Sequence, residues 1–468
     1  MLQRLRDHLE STGLIPPGAR VLVGYSGGAD STCMLHLLAS LPIDVVAAHL
    51  HHGQREEADD ELARCEAFCQ TLDVPFLPGR ADVPAIAAQM GMGLEEAGRH
   101  ARYEFFRQAA FQTQCTLIAT GHTRDDHVET VILNLARGCG LSGLAGIPPQ
   151  REAIVRPMLI FTRMDTRAFC DELGLWYHDD PANDDVDFAR ARIRHRVLPE
   201  LRLVNARVDQ AVHRLSQMAH EEDLFLDSAA AAGLERCERS LNGHLQFLTA
   251  DVEAAFDGGL MRHLPPVLLK RGIRLIARLL GAELSHDQTL RIAEGLRDEG
   301  RGSVTAEGGE VVIEWTKAAV HARRLRAPEP FRYNLTVPGE TESDEFGWRF
   351  VAREAAPQEL TPDSHNLSVL LDRAAVNGVL HFRTFKAGDV IQPLGLDGQK
   401  KVADVFSDAH LTEAARRRLP VVCDMLGPVW LPGLCIAERV KITPSTSLAI
   451  ALRFEPLSQA DSHNKETA

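Results

Sequence analysis

The stretch Val21-Leu-Val-Gly-Tyr-Ser26-Gly27-Gly28-Ala29-Asp30-Ser31-Thr32 decides the fold. An apolar run of strand type ends in two glycines, and an apolar helix opens on an Asp-Ser-Thr cluster. The glycines permit a tight turn with close backbone approach. First-turn N–H groups of the helix then face the loop and, with the helix dipole, form a cradle for phosphate oxygens. Ser26, Ser31 and Thr32 add hydroxyls, while Asp30 can cap the helix or hold a metal ion carried by a nucleotide. A glycine turn before a capped helix is common in α/β proteins, but the full Ser-Gly-Gly-x-Asp-Ser string is far more specific. No Gly-Lys-Ser/Thr follows, so this is not a Walker A loop.

Outward from this loop, short apolar runs at 21–26, 45–50 and 116–121 alternate with helical patterns at 31–39, 58–72, 99–112 and 125–137. Strands separated by helices of this length imply an α/β domain with a doubly wound parallel sheet, over 1–205. Leu62, Cys65, Cys69 and Leu72 form the buried row of one helix. Residues 206–326 read as a mainly helical domain with a small hairpin near its end, signalled by the Gly-rich turn at 307–310 and the run 311–315. The Pro-containing stretch 327–330 is a linker, 331–457 a small α+β domain, and 458–468 a polar, flexible tail.

The 468 residues correspond to about three domains. With 45% hydrophobic and 25% charged residues, the chain can bury a real core, which excludes wholesale disorder. The net charge of −14 excludes a uniformly basic nucleic-acid wrapper but leaves room for basic patches. The N-terminus lacks an uninterrupted apolar segment and so is not a signal peptide. The most apolar stretch, 265–284, is broken by Lys270, Arg271, Arg274 and Arg278, which argues against a membrane span. Nine scattered cysteines without a C-x-x-C point to free thiols in a reducing cytoplasm.

Three further segments carry candidate chemistry. Gly121-His122-Thr-Arg-Asp-Asp126-His-Val-Glu129-Thr130 closes a strand and opens a helix. Val128, Val131, Ile132 and Leu135 define its expected buried side, with Asp126 and Glu129 opposite, at a strand end where ligands bind in doubly wound sheets. His122 and His127 lack a third ligand spaced for zinc. Arg99 and Arg102 lie one turn apart beside Tyr103 and Phe106. Arg190, Arg192, Arg194 and Arg196 place four arginines in seven residues, a local anion site on an acidic protein. On that helix Ile193, Val197 and Leu201 are the expected buried row, with Arg192 and Arg196 pointing away.

Ser26 to Ser31 resembles the signature of the ATP pyrophosphatases, of the adenine nucleotide alpha-hydrolase-like fold, which cleave ATP between its α- and β-phosphates. Together with His52-Gly53, Arg99-x-x-Arg102-Tyr103, His122-x-x-x-Asp126-x-x-Glu129-Thr130, Arg137-Gly-x-Gly, Arg156-Pro157 and Arg190-x-Arg192-Ile-x-Arg194, it resembles the bacterial tRNA(Ile)-lysidine synthetases. The match is dense over 18–202 and returns from Phe382-Arg-Thr-Phe-Lys-Ala-Gly-Asp389 to Arg439. Ala191, Gln54 and Gly98 stand where that family usually has Asn, Leu and Ala.

The resemblance implies a carbon–nitrogen ligase that joins L-lysine to C2 of the wobble cytidine of the CAU anticodon of tRNA(Ile), through an adenylated cytidine. AMP and diphosphate are released. It implies ATP bound at Ser26, Gly27, Gly28, Ala29, Asp30 and Ser31, with Mg²⁺ at Asp30 through the nucleotide. It also implies catalytic roles for Asp30, Arg102, His122, Asp126, Glu129 and Arg194. For tRNA the candidates are Arg190, Arg192, Arg196, Lys270, Arg271, Arg274, Arg416, Arg417 and Arg418. No membrane association is expected, and a homodimer is compatible with the reading. The competing readings are a sulfurtransferase on the same loop, which would need paired cysteines, and a non-catalytic tRNA-binding protein on the old fold.

Overall fold

The computed structural model describes residues 1–51, 58–178, 189–326, 328–343, 346–359 and 365–457. His52, Gly53, Gln54, the Asp180-Pro-Ala-Asn183 segment, the start of the 327–330 linker and the 458–468 tail lie outside the described residues. The chain divides into two compact units, Met1–Leu224 and Phe225–Ala468.

In the first unit, α1 (Leu2–Thr12) precedes β1 (Arg20–Gly24), α2 (Ala29–Ala39), β2 (Asp44–His51), α3 (Ala58–Thr71), β3 (Phe76–Arg80), α4 (Val83–Met90), α5 (Leu94–Gln112) and β4 (Leu117–Thr120). Then follow α6 (Arg124–Ala136), α7 (Leu141–Leu144), β5 (Gln150–Arg151), β6 (Ile154–Val155), α8 (Arg163–Leu173), α9 (Ala189–Arg192), α10 (Leu198–Val204) and α11 (Val208–Glu235). The sheet order is β3-β2-β1-β4-β6-β5, parallel except for the β5 edge. Val21, Leu22 and Val23 of β1 are fully buried, as a strand covered on both faces requires. The order reverses between β1 and β4, where Gly24 pairs with Thr120. The loops leaving these two strands therefore border one crevice, the ligand position of an open α/β sheet.

Cys65 and Cys69 are both fully buried on the expected face of α3. Two other rows differ from expectation. On α6, Leu135 is 58% exposed, while Glu129, expected opposite the core, is 1% exposed. The segment 189–204 is a helix interrupted by a π turn over Ile193–Val197, in which the Leu198 N–H donates to the Ile193 carbonyl. That extra residue per turn shifts the register, so Leu198 is buried and Val197 faces outward.

In the second unit, α12 (Gly258–Met261), α13 (Pro266–Leu279) and α14 (His286–Arg297) accompany the C-terminal part of α11. They pack with a five-stranded sheet made of β7 (Glu238–Arg239), β8 (Glu253–Asp257), β9 (Gly302–Thr305), β10 (Val311–Trp315) and β11 (Ala319–Arg324), ordered β7-β8-β11-β10-β9. The expected hairpin thus exists as β9–β10, joined by the 307–310 turn, but as part of a larger sheet whose other strands are too short or too polar to announce themselves. Ile273, Ile276, Ile292, Ile313 and Trp315 form its core.

The sheet-rich C-terminal part has a second core around Trp348, Phe350, Phe382 and Phe454, with the Phe350 and Phe382 rings stacked at 4.6 Å. Leu245 and Leu248 join that core. Within it, Arg383 forms a two-pronged pair with Asp389 at 2.8 Å, and Asp389 also accepts the Lys386 N–H. Arg439 clamps the buried Asp424 in the same way. The 382–389 motif and Arg439 therefore pin loops of this domain.

Two expected RNA contacts are corrected here. Arg271 is 7% exposed and donates to Asp227 at 2.6 Å. Arg418 is 6% exposed, donates to the Leu248 carbonyl and to both Asp251 oxygens, and lies 5.6 Å from the Phe346 ring centre. Both hold the fold and are not open to a nucleic acid. Arg416 donates to the Leu411 carbonyl and Ser407, and Arg417 to Glu413 one helical turn away. Arg418→Ala is expected to cost about 2 kcal/mol of stability, because the Leu248 carbonyl loses its charged donor. Arg417→Ala, an exposed pair, should stay within about 0.5 kcal/mol. Urea midpoints of the two variants check this, and equal midpoints would contradict it.

Candidate active site

The turn after β1 is built as the sequence suggested. Gly27 adopts φ +81°, and a Cβ there would come 3.1 Å from the Cys65 sulfur, so glycine is required twice over. Its carbonyl accepts the His178 N–H at 2.8 Å. Gly28 caps α2. Ser31 Oγ donates to the Gly28 carbonyl at 3.0 Å and accepts from the Ser26 N–H at 3.2 Å, with Ser26 Oγ 3.1 Å away. The loop is thus held closed by its own hydroxyls, leaving the first-turn N–H groups of α2 to face the crevice. From the β4 side, a Cβ on Gly121 would lie 3.3 Å from the Ser31 backbone. A larger residue at 121 would push the two loops apart by a few tenths of an ångström.

Asp30 projects from the first turn of α2. Its Oδ1 accepts the Thr166 hydroxyl, and its Oδ2 lies 3.9 Å from Arg163 Nε. Burial pushes its carboxyl up to about 6; Thr166 and Arg163 oppose this, and Asp126 and Asp125 reinforce it. On α6, Asp126 Oδ2 accepts both the N–H and the hydroxyl of Thr123 at 2.8 Å, while its Oδ1 pairs with Arg163. Burial alone would raise the Asp126 carboxyl, but Arg163, His122 and Thr123 together hold it below the usual carboxylate range.

Glu129 is enclosed from two sides. Its Oε1 accepts Arg163 Nη1 at 2.6 Å and Arg194 Nε at 2.7 Å, and its Oε2 accepts the other prong of each guanidinium at 3.3 and 3.2 Å. Arg194 reaches it from the π turn. Three carboxylates, Asp30, Asp126 and Glu129, thus face two guanidiniums and retain an excess of negative charge toward the phosphate loop.

His122 caps the end of β4 with Nδ1 2.9 Å from Thr120 Oγ1. Burial pushes it down to about 4, against Asp126 and with help from Arg156, Arg190 and Arg99, so it is neutral at physiological pH. His127 instead serves structure. Its Nε2 lies 2.6 Å from Ser216 Oγ, and its Nδ1 faces the Ile147 backbone. Arg190 donates to Thr130 Oγ1 at 3.3 Å, Arg192 and Arg196 are exposed, and Ala191 is buried. Arg102 is exposed on α5 beside Tyr103 and Arg99.

The residue that sequence reading missed is Arg163, with Thr166 behind it. A signal was present. Thr162 and Asp165 form a reciprocal capping box at the start of α8. A cation at the first position of a capped helix opposes the helix dipole, which implies an acidic partner elsewhere. The start of α8 is tied to α6 by the Arg163 N–H donating to Asp125 and by Arg124 donating to the Ile160 carbonyl.

Residues 2–201 match the family model of the PP-loop domain, and 380–452 that of the TilS substrate C-terminal domain. The tRNA(Ile)-lysidine synthase of Geobacillus kaustophilus is 30% identical over 457 residues, covering 93% of this chain and 95% of that protein. That of Bacillus subtilis is 29% identical, covering 97% and 98%, and that of Dehalococcoides mccartyi 28%, covering 98% and 100%. Similarity this even along both lengths, with a phosphate loop and a carboxylate–arginine cluster at one crevice, means that the chain belongs to the tRNA(Ile)-lysidine synthase family.

Proposed function

We propose that the chain uses ATP to adenylate the C2 oxygen of the wobble cytidine in the CAU anticodon of tRNA(Ile), and then joins L-lysine to that carbon. The cytosine oxygen is a poor leaving group. Transfer of AMP to it, with loss of diphosphate, converts it into one that an amine can displace. The ε-ammonium of lysine must first lose a proton, and the base must be unstacked to reach the crevice.

The observation that carries this reading is the convergence of Asp30, Asp126 and Glu129 on the crevice beside the Ser26–Ser31 loop. The loop's N–H groups and hydroxyls receive the triphosphate. Asp126 and Glu129 hold the cationic amine and accept its proton, and Arg194 and Arg102 face developing phosphate charge. Neutral His122 is available as a hydrogen-bond partner. Asp30, a carboxyl pushed upward by burial and then by neighbouring acids, fits a Mg²⁺ ion held by one carboxylate and the nucleotide phosphates; such an ion would supply charge neutralisation there.

Residues 1–205 form the catalytic part in this reading and contact tRNA through Arg190, Arg192 and Arg196, while 206–326 and 331–457 add tRNA recognition through Lys270, Arg274, Arg416 and Arg417. The setting is the cytoplasm. Sulfur transfer fits less well, since burial pushes the Cys65 and Cys69 thiols up to about 12, the reverse of a reactive thiolate.

The test is AMP and diphosphate release from ATP with a tRNA(Ile) CAU transcript, with and without L-lysine. Lysine incorporation matched to AMP release is the expected result. Consumption of ATP only with a sulfur donor, or none at all, would overturn the reading.

A further inference from the structure

A second group of charges adjoins the carboxylate cluster; of its members the account above uses Arg190 alone, toward tRNA. Arg156 follows β6, one residue beyond the Ala119–Val155 pair, which sets it beside Thr120, the partner of His122. Arg156 is 5% exposed. Nη1 donates to the neutral Pro148 carbonyl at 2.8 Å, and the buried Nε has no hydrogen-bond partner among the described residues. Arg99 lies over the Tyr103 ring at 5.1 Å, and Tyr103 also faces Arg156. Arg190 reaches the same region through Thr130, whose hydroxyl is bonded to the Asp126 carbonyl at 2.7 Å. No ion pair to an acid joins Arg99, Arg156 or Arg190 among the described residues. A buried guanidinium with an idle donor and other guanidiniums for neighbours is costly unless an anion completes it.

We propose that Arg156, with Arg99 and Arg190, forms the subsite for the α-carboxylate of the amino-acid substrate. The inference rests on the lysine-ligating reading and deepens it. Charge complementarity carries the choice of ligand. His122 has an acidic neighbour, Asp126, and basic neighbours, Arg156, Arg190 and Arg99. Adjoining acidic and basic groups match an amino acid, which carries ammonium and carboxylate on one carbon. An RNA phosphodiester is too bulky for a guanidinium as enclosed as Arg156. The nucleotide phosphates have their own cradle at Ser26 to Ser31. Bidentate carboxylate recognition is what a guanidinium does better than an ammonium.

The experiment uses the full chain, with ATP and tRNA saturating, and the variants Arg156→Gln and Arg99→Gln. It compares the KM for L-lysine with the inhibition constant of cadaverine, which is lysine without its carboxylate. Each variant is expected to raise the lysine KM roughly tenfold or more, leaving the cadaverine constant and the KM for ATP unmoved. Arg99 is exposed, so Arg99→Gln keeps the test intact if Arg156→Gln does not fold. An unchanged lysine-to-cadaverine ratio in a lysine-active enzyme would overturn the subsite alone. A raised tRNA KM with an altered salt slope and an unchanged lysine KM would reassign the cluster to RNA phosphate, overturning it too. A wild-type enzyme that incorporates no lysine would instead overturn the functional reading beneath it.

Discussion

Asp30→Asn is expected to lower lysidine formation by about a thousandfold while making the folded protein more stable at neutral pH. The two effects share one cause. The Asp30 carboxyl stands at about 6 in the folded protein against 3.8 for a free side chain. A carboxyl raised by folding binds its proton more tightly in the native state, so stability falls as pH rises from about 4 to about 6 and stays low above that. Two units correspond to about 3 kcal/mol, reduced to about 2 kcal/mol for the 28% of the side chain that remains exposed. The amide removes that charge and keeps an oxygen for the Thr166 hydroxyl. Urea midpoints at pH 4, 6 and 8 should show no gain at pH 4, a rising gain through 6 and a constant gain at 8. A variant that is inactive but no more stable at pH 8 would mean that Asp30 is not under electrostatic stress.

Such a trade of stability for function also explains what the sequence revealed and what it hid. The phosphate loop was legible because its determinants are local: two glycines, a helix start and hydroxyls within six residues. The doubly wound sheet followed from apolar runs long enough to register. Phe76–Arg80 and Ile154–Val155 escaped because one carries Pro78, Gly79 and Arg80 and the other is two residues long. Charge, in contrast, is local in sequence but its neutralisation is not. Residues 262–278 contain four further cations after Arg262 and His263 and no acid, which suggested an RNA face; yet Asp227 meets Arg271 from 44 residues away, and Glu299 meets Arg262 from 37. Arg418 finds Asp251 across 167 residues. The buried face of 189–204 was misjudged for another reason, since a π turn changes the period on which such arguments rest. Glu129 looked like a solvent-facing carboxylate because the two guanidiniums that cover it come from α8 and the π turn.

Arg163→Ala should have the largest effect on the fold of any single change at the site, about 3 kcal/mol at pH 7.5, together with loss of activity. Arg163 is shared by Asp126 and Glu129 and approaches Asp30. Without it three carboxylates remain with Arg194 as the ion-pair partner of Glu129 alone. Burial at Asp126, then opposed by His122 and Thr123 without Arg163, would raise a carboxyl that the native cluster holds down. The sign of the pH dependence then reverses. In the wild type the depressed Asp126 carboxyl contributes stability that is present at neutral pH and lost only as the pH falls through its lowered pKa. In the variant, raised carboxyls cost stability as pH increases, so the gap from wild type should widen from pH 5 to pH 8 and narrow in acid. Arg163→Lys keeps the charge but cannot span two carboxylates with a fork. It should recover most of the pH dependence and only part of the stability, a pattern that simple loss of packing would not produce. Denaturation midpoints for both variants across this pH range decide the matter: a gap that is constant with pH would show that Arg163 acts through its bulk and not through its charge.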